Sequence, residues 1–105
     1  MDTDTVDETT LIRAEARGAQ AELLLTNPLL QDAFAALEAA YMKAWRATGM
    51  AAADTQARER LFIAVNIIGK VQEHLARLVE GGKLSRKQLE EIERRKALGL
   101  EPYLP

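Results

Sequence analysis

The side chains that could do covalent chemistry are few: one histidine, His74, one serine, Ser85, and no cysteine in 105 residues. Nucleophilic catalysis needs a hydroxyl or thiol beside a base that a third group orients. That set is not available when Ser85 is read as a helix cap and His74 as a solvated residue on the Lys70/Arg77 side of its helix. The absence of cysteine excludes disulfides and thiolate zinc sites, and a single His leaves no multi-histidine metal site. Paired carboxylates occur, as at Glu90 and Glu91. On a polar helix, however, nothing desolvates them, so their pKa values are not driven apart as a general acid and base require. The chain has no P-loop, no GxGxxG turn and no EF-hand loop. It reads as a non-enzyme without cofactor or metal.

What remains is pattern, and the pattern is helical. Leu30, Phe34, Leu37, Tyr41 and Trp45 form one row; Leu61, Val65, Ile68, Leu75 and Val79 form a second, with Gln72 filling the seven-residue step. Steps of three and four follow the 3.6-residue period of an amphipathic helix. The spacing predicts an all-α fold: a long antiparallel helical hairpin, preceded by an N-terminal helix and followed by a short C-terminal one. The expected helices cover about 9–26, 28–48, 55–80 and 86–98, within one helical domain at 9–98. Residues 1–8 lack periodicity and read as a disordered acidic segment, and 99–105 as a C-terminal tail.

The boundaries rest on caps. Thr26-Asn27-Pro28 should end the first helix and start the second, since Asn caps well and Pro suits the first helical position. Gly49 is placed as the C-terminal cap of helix two and Asp54 as the N-cap of helix three. Gly81-Gly82 should stop helix three. Ser85-Arg-Lys-Gln88 then reads as a capping box, with Leu84 and Leu89 as its staple. In the first helix the expected buried row is Ile12, Ala16, Ala19 and Leu23, beside a small-residue middle around Gly18 that permits close helix approach.

Helix three carries more apolar surface than one partner can cover. In Leu61-Phe-Ile-Ala-Val-Asn-Ile-Ile68, the side chains of Phe62, Ile63 and Ile67 point away from the Leu61/Val65/Ile68 row. Self-association, or coverage by the first helix, is the physical consequence. The expected oligomer interface is Phe34, Tyr41, Trp45, Phe62, Ile63, Asn66 and Ile67. The aromatic row of helix two reads as core or subunit interface, its other use being a base-stacking platform. Asn66 either sets register from a buried position, bonds to backbone at an exposed one, or meets a ligand.

Net charge is −2, unevenly placed. Residues 1–10 hold Asp2, Asp4, Asp7 and Glu8 with no base, whereas 83–96 have an excess of three positive charges. Lys83, Arg86, Lys87, Arg94, Arg95 and Lys96, with Tyr103 of the tail, are the candidate contacts to DNA or a partner. For Arg94-Arg95-Lys96 the plain reading is a solvated helix end favourable to the dipole. An acidic chain is a poor bulk binder of nucleic acid, and no helix-turn-helix with a basic recognition helix is visible. With no apolar run of membrane length and an acidic rather than basic N-terminus, the expected location is the cytoplasm, with no membrane partner.

Across about residues 12–92 the chain resembles the short helical proteins encoded beside the packaging genes of tailed phages and phage-derived gene transfer agents. The resemblance is carried by Arg13-Ala-Glu, Asn27-Pro-Leu-Leu30, Ala33-Phe34, Leu37, Tyr41, Trp45-Arg-Ala-Thr48, Arg58-Glu-Arg-Leu61, Gly69-Lys-Val71, His74-Leu75 and Gly82-Lys-Leu84. It implies a small-terminase-like role without catalysis: a homo-oligomer, in ring form, helping deliver DNA to a large terminase. A usual small terminase also has an N-terminal DNA-binding helix-turn-helix, for which the acidic residues 1–10 are too short. That departure suits non-specific packaging or an adaptor working through protein contacts alone. The competing readings are a structural or connector component of the phage head and a small protein-interaction module.

Overall fold

A computed structural model describes residues 7–99 of the chain. Residues 1–6, which hold most of the acidic segment, and residues 100–105, the tail with Tyr103, lie outside the described residues. The elements are α1 (Glu8–Leu25), α2 (Pro28–Ala47), a 3-10 turn (Ala52–Asp54) and α3 (Thr55–Ala97). The described residues contain no strand. The described residues are all-helical, with three α-helices of which the last is long.

Two of the starts follow from short polar side chains. The Asn27 Oδ1 accepts the backbone N–H of Leu29 at 2.9 Å and of Leu30 at 3.1 Å, with Pro28 at the first helical position. This is the cap the sequence predicts. Asp7 does the same for α1: its Oδ1 accepts the Thr9 amide at 3.0 Å, and its carbonyl takes the Leu11 amide at 3.1 Å. Asp7 and Glu8 are therefore the start of α1 and not part of a loose segment. Capping at such a position contributes about 1 kcal/mol.

Gly49 is not the left-handed cap expected of it. Thr48, in extended conformation, ends α2 by directing both its backbone N–H and its Oγ1 at the Trp45 carbonyl. The Gly49 amide donates instead to the Asp54 carboxylate at 3.1 Å, and the Arg58 guanidinium donates to the Gly49 carbonyl. Asp54 thus ties the loop together from the 3-10 turn, while Thr55 opens α3.

The larger correction lies at Gly81-Gly82. These glycines do not stop a helix; α3 runs through them to Ala97 without a break, and the described residues contain no separate fourth helix. Ser85 is accordingly no N-cap: it sits inside α3, 7% exposed, while Leu84 is exposed and forms no staple. The reason is packing. Val79, Gly82, Ser85, Leu89 and Ile92 continue the row of Leu61, Val65, Ile68, Gln72 and Leu75 in steps of three and four. A helix that keeps one buried face for its whole length gains more from continuing than glycine's weak propensity, about 1 kcal/mol per residue, takes away.

The chain divides into two compact units, one of residues up to Leu23 with those from Leu75 onward, the other Leu24–His74. In the first, α1 meets the second half of α3. Leu11, Gly18 and Ala21 are buried on α1, and Val79, Gly82, Ser85 and Ile92 on α3. Contacts of Gly18 with Gly82 and of Glu8 with Lys96 show that the two run antiparallel. The face that α1 buries holds Leu11, Gly18 and Ala21 and not the row the spacing suggests: Ile12, Ala16, Ala19 and Leu23 are all exposed. A row of small residues lets the backbones meet, which the bulkier alternative would hold apart.

The second unit holds α2 and the first half of α3. Ile68 is its buried centre, with Leu30, Phe34, Tyr41, Met42, Leu61, Val65 and Gln72 half-buried, and no residue of α2 is fully buried. The Gln31 amide donates at 2.8 Å to the Leu25 carbonyl, answering a free acceptor at the end of α1.

Candidate interaction surfaces

Apolar surface collects around Phe62 in the second unit. Two grooves flank this side chain, one lined with it by Trp45, Met42, Leu61, Val65 and Asn66, the other by Trp45, Thr55, Arg58, Glu59 and Ile63. Trp45 is 44% exposed and Phe62 65%. Water-facing aromatic surface of this kind, bordered on one side by Arg58 and Glu59, has the composition of a protein-binding site.

Of the interface residues expected from the sequence, Trp45, Phe62, Ile63 and Asn66 come together here. Phe34 lines a separate groove with Leu24, Leu30, Ala35, Glu38 and Gln72. Tyr41 is half-buried, and Ile67 is exposed outside these grooves. Met42, absent from the expected set, belongs with Trp45; its place four residues before Arg46 and one before Lys43 gave no reason to separate it from ordinary core. Asn66 is exposed and donates its Nδ2 to the Phe62 carbonyl at 2.9 Å, so it bonds to backbone within its own helix.

Most of the basic residues of the second half of α3 are answered by acids. Lys83 lies 3.6 Å from Glu80, Arg86 3.9 Å from Glu90, Arg95 3.2 Å from Glu91, and Lys96 2.8 Å from Glu8. Arg94 grips Glu91 with both Nε and Nη2, at 3.0 and 2.7 Å. The hydrogen bond from Arg94 holds the Glu91 carboxyl below its usual range, aided by the charges of Arg94 and Arg95, and Glu91 raises Arg94 in turn. Lys87 has no ion-pair partner among the described residues. Drawing in Glu8 and Glu80 reduces the local excess of three positive charges to one. Surface pairs of this kind hold weakly, so they do not bar a phosphate, but the field left for one is small.

His74 is exposed. Among the described residues no group of three His, Asp or Glu could hold a metal ion, and no helix is long and apolar enough to cross a membrane.

No known protein family, characterised protein or solved structure matches this chain.

Proposed function

We propose that this protein is a non-catalytic, homo-oligomeric adaptor of DNA packaging in the cytoplasm, resembling a small terminase subunit, that helps deliver DNA to a large terminase. In this reading α2 and the first half of α3 form the antiparallel hairpin of each subunit, and hairpins associate in a ring. The observation that supports it most is the exposed apolar surface of Trp45, Phe62 and Ile63, which self-association would cover. The resemblance of residues 12–92 to phage and gene-transfer-agent packaging proteins supplies the process. Light scattering at tens of micromolar tests the assembly, and a strict monomer overturns it. Capture of the large terminase by the assembled protein then tests the role.

The ion pairs along α3 favour a second reading for its end, in which Lys83, Arg86, Lys87, Arg94, Arg95 and Lys96 serve protein contacts and not DNA. A head connector or a small interaction module would use them so. Reversing the charges of Arg94, Arg95 and Lys96 separates the two: weakened, salt-dependent DNA binding supports packaging through direct contact, and unchanged binding removes DNA from their role.

A further inference from the structure

α2 is apolar over about half its circumference, and α3 covers only part of that arc. Phe34, Tyr41 and Trp45 lie toward α3, whereas Leu29, Ala33, Leu37, Ala40 and Ala44, at steps of four, four, three and four, form a second row without a charge. All five are exposed, Leu29 at 78% and Leu37 at 45%. Counted at about 100° per residue, this row stands across α2 from Met42, and the exposed Ile67 and Val71 stand across α3 from Phe62. Met42 and Phe62 line one groove together, so the two apolar sets share the other side of the helix pair, bounded by Arg60 at the start of α3.

That face has the size of a stable contact. Two helices about 10 Å in diameter, over the 20 residues of α2 at about 1.5 Å each, offer a footprint of about 600 Å². A standard interface takes ~800 Å² of accessible surface from each partner.

The edge of the row selects a second copy as the occupant. Asp32 and Lys43 border it on the side away from α3, about three turns apart. Both are exposed, and neither has an ion-pair partner among the described residues. Arg46 turns away from the row. In a two-fold antiparallel pairing of α2 with α2, Leu37 meets Ala40 and Ala33 meets Ala44 of the second copy, so large meets small and the backbones approach closely. The same register brings Asp32 of each chain beside Lys43 of the other, which joins opposite charges twice. A two-fold parallel pairing would put the two edges on opposite sides of the contact, where neither finds the other.

We infer that two copies associate through this face, α2 against α2 about a two-fold axis near Leu37 and Ala40, with Asp32–Lys43 pairs along one edge and Ile67 and Val71 of the two α3 helices meeting along the other. Such an isologous contact closes at two. It leaves the Trp45/Phe62 grooves free, so any larger assembly joins pairs through those grooves. The inference rests on the homo-oligomeric reading above and names one of its contacts.

The test uses full-length variants changed at exposed positions, each checked by circular dichroism for retained helix. Phe62→Asp blocks the grooves, and a chain with this change alone should be a dimer by light scattering at tens of micromolar. Adding Ala40→Glu should make it monomeric. In the same Phe62→Asp chain, Asp32→Lys and Lys43→Asp should each weaken the dimer about tenfold by facing like charges, and an equal mixture of the two should form a heterodimer as tight as the parent. A Phe62→Asp chain that is monomeric while the wild type associates overturns the contact and leaves the homo-oligomeric reading standing, as does a dimer indifferent to Ala40→Glu or a mixture no tighter than its components. A monomeric wild type overturns both. Dimers that respond as expected yet ignore the large terminase keep the contact and remove the packaging role.

Discussion

Gly18 of α1 and Gly82 of α3 touch through their backbones. A Cβ built on Gly18 would lie 2.7 Å from the Gly82 Cα and 2.7 Å from the Leu78 carbonyl oxygen, and one on Gly82 would lie 2.8 Å from the Gly18 Cα. The obstacles are main-chain atoms, which cannot swing aside as a side chain does. Neither position tolerates any other residue without moving a helix.

Gly18→Ala or Gly82→Ala should therefore destabilise the first unit by about 1–3 kcal/mol, although alanine is the better helix former. Gly81→Ala should do the opposite. Nothing lies within 4 Å of a Cβ there, so the stronger propensity and stiffer unfolded chain add about 0.4–1 kcal/mol. Urea unfolding of the three variants gives the comparison. A loss of stability in Gly81→Ala would mean that α3 breaks at this point.

Ser85 separates a continuous helix from a capped one. Replacing Gln88, exposed in mid-helix, by Ala should leave stability unchanged to within about 0.5 kcal/mol, whereas the loss of a reciprocal cap would cost more. Ser85→Leu should cost about 1–3 kcal/mol, because the buried position beside α1 has no room for the larger side chain. Thermal unfolding followed by circular dichroism reads both.

Trp45 is half-covered, and its truncation should show it. Trp45→Ala should cost about 1–2 kcal/mol in a dilute monomer, below the ~3–5 kcal/mol of a fully buried aromatic. The loss measured under associating conditions should be larger, since the grooves on both sides of Phe62 lose their shared wall.

Glu91 gives the pH dependence. Its folded pKa is lowered, first by the hydrogen bond from Arg94, so the unfolded state binds the proton more readily. The resulting stabilisation is present above the ordinary carboxylate range, near pH 4, and disappears as pH falls through the lowered value. Glu91→Gln should accordingly lower the melting temperature at neutral pH, with the difference from wild type closing in acid. A difference that is constant with pH would show that the Arg94 contact contributes through shape and not charge.

The all-helical class, the Asn27-Pro28 start and the Leu61 to Val79 row were legible because each depends on local geometry: a side chain reaching its own helix end, or a period matched to 3.6 residues. Exposure of Phe62, Ile63 and Ile67 was legible for the same reason, as they fall opposite the row. The grouping of Trp45 with Met42 and Phe62 was only half visible, since it depends on how α2 and α3 register against each other.

At Gly81-Gly82 and Gly18 local preference and tertiary packing disagree. In sequence, Gly81-Gly82 followed by Ser85 and Gln88 satisfies every rule for a helix end and a new start, and Ile12, Ala16, Ala19 and Leu23 form as good a row as any. The amino-acid sequence by itself determined which segments become helices and which faces are apolar, because those follow from rotamers, caps and period. Only the tertiary structure decided which of two apolar faces α1 buries and that α3 passes through its glycines. Both outcomes come from the same contact: two backbones without side chains approach more closely than any other pair, and the helix that provides one of them is held continuous across the place where it is met.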